Sequence, residues 1–312
     1  MSNMASTREA FGEALLELAR KRSDVVALAA DASTSMCTAV LEEEFPDRCY
    51  NIGICEQNMV TMASGLAASG KMPFIASYST FLSLRCCEQL RTFVAYPNLN
   101  VKIVAGLGGI SAGIEGVTHL APEDLGIVRC IPNMTILCPS DALAVKQAVW
   151  ASADHDGPVY IRIGRDATPI IHPQGYQFKI GQVVKIAEYG KDAAVLVMGF
   201  PLYQVLSAAK DLLRENIKVS VFEVHTLKPI DEEAIVEIAK HSRSLVTVEE
   251  HSAIGGLGSA VADVLSRSYP IIVHRISLPD RFLESGTPTE LSEKYGLGID
   301  AIRGGIRNAS AL

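Results

Sequence analysis

The sequence predicts an α/β protein of two domains, each a mostly parallel sheet covered by helices. Short apolar runs alternate with helical stretches along the chain, the pattern of parallel strands joined by crossover helices. The alternation lapses between Arg165 and Lys185, where ATPIIHPQGYQ carries two prolines, and then resumes. The length of 312 residues fits about two domains at roughly 150 residues each. The expected division is a first domain over 1–166, a linker over 167–185 and a smaller second domain over 186–312.

Each element has its own local cause. Ser6 and Glu9 fit a capping box, and the helix behind them carries Phe11, Leu15, Leu18 and Ala19 on one face. A short apolar strand over 25–29 runs into Asp31, and residues 34–45 read as a helix whose acidic run 42–44 is a solvated face. A strand over 50–54 leads to Glu56 and a helix of small apolar residues, Met59, Met62, Ala63, Leu66 and Ala67. Strands follow over 73–77 and 101–106, with a helix over 80–96 between them and the glycine-rich GLGGISAG after them. A helix over 121–131, a strand over 135–137, a helix over 141–154 and a strand over 159–163 complete the first domain. In the second, strands over 193–198, 218–224, 244–249 and 271–276 alternate with helices over 203–215, 231–241 and 258–267. Two short helices, over 288–295 and 299–308, close the chain.

Composition excludes several classes. Hydrophobic residues make up 48% of the chain and the mean hydropathy is +0.22, enough for a large core and, in excess of that, large subunit interfaces. A formal charge of −7 argues against nucleic acid or an anionic membrane as partner. No apolar run reaches the roughly 20 residues of a membrane span, and the N-terminal stretch has no signal-peptide core. The seven cysteines are odd in number, form no CxxC and lie in the first half, so they read as reduced, buried thiols of a cytoplasmic protein. The histidines show no metal-ligand spacing, and no metal site is expected within this chain.

Glu56 is the first charged residue after an apolar strand end, at the edge where α/β sheets carry chemistry. Packed among apolar groups it would hold a proton near neutral pH. The plainer reading is a solvated carboxylate in a helix's first turn, favoured there by the helix dipole. ICEQNM is followed by YSTFLSLRCCEQLR, by GIEGVTHLAPEDLGIVRCIPNMTILCPSD and by DGPVYIRIGR. In that order these blocks resemble the C-terminal half of transketolase and of deoxyxylulose-phosphate synthase, over nearly the whole chain.

The resemblance implies a thiamine-diphosphate enzyme and gives several residues roles. Glu56 would bind a ring nitrogen of the cofactor's aminopyrimidine and, protonated, drive the tautomer that the chemistry needs. Phe81 would pack on that ring, Tyr78 would line the same pocket, and Asp31 matches an acid near the cofactor; both aromatics could otherwise be ordinary core residues. Leu84 and Cys87 stand where transketolases carry further aromatics. Glu115 and His119 match an acid and a His that contact substrate hydroxyls, with Glu one methylene longer than the family's Asp. Arg8, Ser35 and Arg165 match positions that hold a sugar phosphate, with Ser33 as competitor for Ser35; an arginine fork suits phosphate. Leu107 replaces a phosphate-binding His, which sets the phosphate itself in question. GGLG at 255–258 reads as a tight strand-to-helix turn, since the family has no cofactor site there.

The family's Gly-Asp-Gly motif for Mg²⁺ and diphosphate is missing. The resemblance therefore implies the C-terminal subunit of a split transketolase, with Mg²⁺ ligated by a separate N-terminal subunit. Its activity would be ketol transfer between sugars, with two copies of each chain as the minimal assembly. The alternatives are a deoxyxylulose-phosphate-synthase-like enzyme, a 2-oxo-acid dehydrogenase beta subunit, and a non-catalytic homologue acting as a binding partner.

Overall fold

The structure is a computed structural model that describes residues 3–311. Its strands are β1 (Met4–Ser6), β2 (Val25–Ala29), β3 (Cys49–Asn51), β4 (Met72–Tyr78), β5 (Lys102–Gly106), β6 (Thr135–Leu137), β7 (Val159–Arg162), β8 (Ala167–Pro169), β9 (Val184–Glu188), β10 (Ala193–Met198), β11 (Val219–Glu223), β12 (Thr226–Lys228), β13 (Leu245–Ser252) and β14 (Val273–Leu278). Seven form one sheet in the order β12-β6-β7-β5-β4-β2-β3 and five a second in the order β14-β13-β10-β11-β9. Both are parallel except at one edge each, where β12 and β9 run antiparallel. Every residue of β2, β5, β6, β7 and β10 is buried, as strands covered by helices on both faces must be. The two-domain α/β expectation holds.

Several elements depart from expectation, each for a local reason. Ser6 accepts the Glu9 amide, so half of the expected capping box is present. The helix expected over 34–45 is Ala39–Glu44 alone, because Cys37 takes a positive φ of 58° that a helix cannot contain. The strand at 50–54 is shorter, Cys49–Asn51, and the helix at 121–131 is Asp124–Arg129. The helix at 80–96 is wide-turned at Phe81–Arg85 and Leu90–Ala95, the π form that recurs at functional sites. Helix Glu56–Ala68 buries Glu56, Met59, Val60, Ala63 and Ser64, while Met62 is exposed, so the buried face lies about one position round from the one expected. Cys55 and Cys130 are exposed rather than buried, and all seven cysteines are free. Strand β8 pairs with β1, and β12 crosses from the second-domain sequence to extend the first sheet.

A buried histidine staples the two halves together. His172 lies between Asp141, 3.0 Å from Nδ1, and Glu223, 2.9 Å from Nε2. Asp141 caps helix Ala142–Ala153 beside the first sheet, and Glu223 ends β11 of the second. Burial alone would lower the His172 pKa, but hydrogen bonds and charge from the two carboxylates outweigh it and raise it from 6.5 to about 9. Asp141 opposes its own burial through the same bond and is held below the usual carboxylate range.

His172→Ala leaves two buried carboxylates without their cation, and we expect it to cost about 3–5 kcal/mol of stability near neutral pH. In the parent protein the histidine's folded pKa exceeds its unfolded value. Its contribution is therefore complete below about pH 6.5 and is lost as pH rises through about 9. The stability gap between parent and variant should therefore narrow above that pH, leaving the part due to lost packing and the remaining hydrogen bond.

Candidate active site

The parallel strands of the first sheet end along one edge, and the loops there bring the candidate residues together. Asp31 follows β2, Tyr78 ends β4, Leu107 follows β5 and Arg165 lies three residues past β7. That carboxyl edge is where open α/β sheets place their ligands. Glu56 reaches it as the first residue of helix Glu56–Ala68.

Glu56 is only 2% exposed, which rules out the solvated first-turn reading. Its neighbours are not apolar alone, however: Arg85 Nη1 donates to Glu56 Oε2 at 2.6 Å. The same guanidinium lies over the Phe81 ring, 4.3 Å from its centre. Tyr78 stacks on Phe81 at 5.6 Å, and His119 meets Phe81 edge-on at 5.1 Å and Tyr78 at 5.9 Å. A buried carboxylate, a half-buried aromatic pair and a histidine thus lie side by side, linked through Arg85. Buried Cys86 lies beside them, its thiol pushed up to about 12 by burial and then by the Glu56 charge. Leu84 is exposed and Cys87 half-buried, so neither adds an aromatic wall.

The polar candidates form a second, linked group. Arg8 donates from Nη1 to Ser35 O at 2.6 Å and from Nε to Arg165 O at 3.1 Å. Arg8 thus bonds Ser35, while the Ser33 carbonyl accepts from Thr38 and Ala39. Arg165 donates to Glu115 Oε1 at 2.7 Å. Glu115 Oε2 is buried with no hydrogen-bond partner, an acceptor left over for a ligand hydroxyl. His119 Nδ1 lies 2.9 Å from Thr118 Oγ1. Asp31 is exposed, with a left-handed φ of 54°, and stands apart from the aromatic pair, tied to Asn51. Asn51 Oδ1 accepts from the amides of Asp31 and Gly53 and so fixes the two loops that flank Glu56.

Sequence reasoning missed Arg85 and Asn51. Arg85 stands four residues after Phe81, a helical spacing that signals contact. Asn51 had no signal beyond its place at a strand end. Leu107 is 1% exposed and part of the core, so it offers the site no hydrogen-bond donor. The turn at 255–258 cannot cradle a phosphate. Glu249 already accepts the Leu257 and Gly258 amides, at 2.6 and 2.8 Å, at the start of helix Leu257–Ser268. Burial raises Glu249 to about 7, partly countered by those two bonds. Among the described residues no group of three His, Cys, Asp or Glu could hold a metal ion, and no helix is long and apolar enough to cross a membrane.

Comparison with known proteins gives the family. Residues 3–170 match the family described as transketolase, pyrimidine binding domain, and residues 181–302 match transketolase, C-terminal domain. A putative transketolase C-terminal section from Methanocaldococcus jannaschii is 43% identical over 298 residues, covering 95% of this chain and 93% of that protein. A 6-deoxy-6-sulfo-D-fructose transketolase subunit from a Clostridium species is 39% identical over 93% of this chain and 90% of its own length. A solved structure described as a split gene transketolase, inactive beta4 tetramer, superposes with a TM-score of 0.92 at 42% identity. It covers 98% of this chain and 99% of its own.

Proposed function

Since the chain belongs to the transketolase family, we propose that it is the C-terminal subunit of a split enzyme that transfers a two-carbon ketol unit between sugars. The observation that carries this is Glu56, buried against the Tyr78–Phe81 pair with His119 at its edge. A planar aminopyrimidine fits that arrangement: an aromatic face to stack on and one carboxyl at hydrogen-bond depth. Bound there, thiamine diphosphate supplies the nucleophilic carbon that takes up the ketol unit. Glu56 faces a ring nitrogen, and Phe81 orients the ring. Arg85 now covers Phe81 and pairs with Glu56, the same two contacts, and yields them when the ring enters.

Glu115, with one carboxylate oxygen unpartnered, and His119 contact the substrate's hydroxyls. Arg8, Ser35 and Arg165 line its far end, where the arginine forks suit a phosphate. Asp31 borders the cofactor from the loop after β2. The chain offers no Gly-Asp-Gly motif for Mg²⁺ and diphosphate, so a separate N-terminal subunit supplies that half. Exposed Ile54, Leu84, Ile114 and Val117 lie on the same loops as Glu56, Phe81, Glu115 and His119 and give that subunit an apolar seat. The relatives named as transketolase subunits, and the beta-only tetramer described as inactive, support this division.

Three outcomes are expected. Glu56→Gln in the reconstituted complex loses roughly 10²- to 10⁴-fold in rate while keeping the fold, and a near-normal rate removes Glu56 from the chemistry. Arg165→Ala raises KM for phosphorylated sugars more than for free ones; equal losses would make Arg165 structural or a residue that acts on the chemistry. The isolated chain is inactive, self-associates and binds thiamine diphosphate weakly by calorimetry, because half a site misses most of the cofactor's charge. Adding the N-terminal subunit and Mg²⁺ restores activity in an assembly with two copies of each chain. Tight, Mg²⁺-dependent binding by this chain alone would overturn the split-enzyme reading.

A further inference from the structure

The loop over 108–120 carries Glu115 and His119 and is shaped within itself by short-range turns, Gly113 N–H to Ile110 O and Leu120 N–H to Gly116 O, both at 3.0 Å, among them. Its regular structure is one short turn, Gly113–Glu115, and Gly109, Gly113 and Gly116 all take positive φ. Its ends close on each other, with Gly109 and Ala121 exchanging backbone hydrogen bonds at 3.2 and 2.8 Å. Its seat on the rest of the molecule comes from Arg165, which donates to Ala112 O at 3.4 Å and to Glu115 Oε1 at 2.7 Å, and from the second domain.

Strand β13 meets the loop at both ends. Glu250 Oε1 accepts the buried Ile110 amide at 2.7 Å, and Ser252 donates its backbone N–H to Pro122 O at 2.6 Å. The Glu250 carboxylate fits so closely over Gly109 that any Cβ there would collide with it. Arg162, itself buried, donates from Nη2 to Glu250 O at 3.0 Å and to Ala121 O at 3.2 Å, locking strand and loop to one cation. The middle of the loop is covered by the segment 285–288. A Cβ on Gly113 would press on Pro288 at 3.1 Å, and one on Gly116 would collide with Ser285.

We propose that Glu250 is a positioning residue, through which the second domain holds the loop in the one conformation that presents Glu115 and His119 to substrate. This rests on the reading of those two residues as substrate contacts. The physical case is the buried Ile110 amide. Without Glu250 it has no acceptor, and a glycine-rich loop relieves an orphaned donor by moving. Movement at Ile110 passes directly to Glu115, five residues on, and a displacement of about 1 Å at a reacting group costs on the order of 10²-fold in rate.

The test uses the complex reconstituted with the N-terminal subunit, Mg²⁺ and thiamine diphosphate, assayed with a ketose phosphate donor and an aldose phosphate acceptor. Glu250→Ala removes the acceptor; Glu250→Met does so at nearly constant length and carries the test if the alanine variant does not fold. Glu250→Gln keeps a carbonyl oxygen in place. The first two should speed amide exchange over 108–120 by about tenfold or more. They should also lower kcat/KM by about 10- to 100-fold with cofactor affinity unchanged, since Glu56 and Phe81 lie on other elements. The glutamine variant should restore both. Unchanged loop exchange in the alanine and methionine variants overturns the proposal. So does a loosened loop with full activity, provided His119→Ala abolishes that activity. Full activity in His119→Ala would instead refute the substrate reading, and the exchange measurement alone then decides the role of Glu250.

Discussion

The structure turns on a buried guanidinium. Arg162 is 4% exposed, and a charge so far from water must be fully partnered. Burial would lower its pKa, but Asp124 and then Glu250 outweigh that and raise it, so it stays charged. Its Nε donates to Asp124 Oδ2 at 3.0 Å and its Nη2 to the carbonyls of Ala121 and Glu250. Because β7 supplies the arginine and β13 one of its carbonyls, satisfying this cation fixes one domain against the other. The segment between Ala121 and Asp124 is trapped in the same act, and with it the C-terminal end of the loop over 108–120.

A second consequence concerns division of labour. Glu56, Tyr78 and Phe81 lie at the carboxyl edge of the first sheet, on β4 and on helices of the first domain. The loop with Glu115 and His119 lies over that edge and leans on the second domain, which supplies β13 behind it and residues 285–288 beside it. The second domain has no site of its own in the glycine turn before helix Leu257–Ser268, since Glu249 fills it. Its buried charges are turned instead toward the first domain, through Glu250 and through Glu223 on His172.

Arg85 ties the Glu56 carboxylate to the aromatic pair. A guanidinium is planar and cationic, so it can lie on Phe81 and satisfy the Glu56 carboxylate at once. Without it, a carboxylate 2% exposed would lack a partner. The arginine's own side chain is 44% exposed, so it has water beside it, while the carboxylate it holds has none.

The sequence by itself determined the fold class and strands such as Val25–Ala29, Thr135–Leu137 and Ala193–Met198 to the residue. These depend on local signals: apolar runs bounded by glycine and polar residues, and motif blocks in a fixed order. Only the tertiary structure decided that Glu56 is buried yet paired with Arg85, that Arg8 bonds the carbonyls of Ser35 and Arg165, and that β12 joins the first sheet. It also decided which face of helix Glu56–Ala68 is buried, because small residues surround that helix and no stripe marks the inner side. Those facts rest on contacts between residues tens to more than a hundred positions apart. Glu250 and Ile110 are 140 residues apart, and no local pattern in either stretch records that one must accept the other's amide.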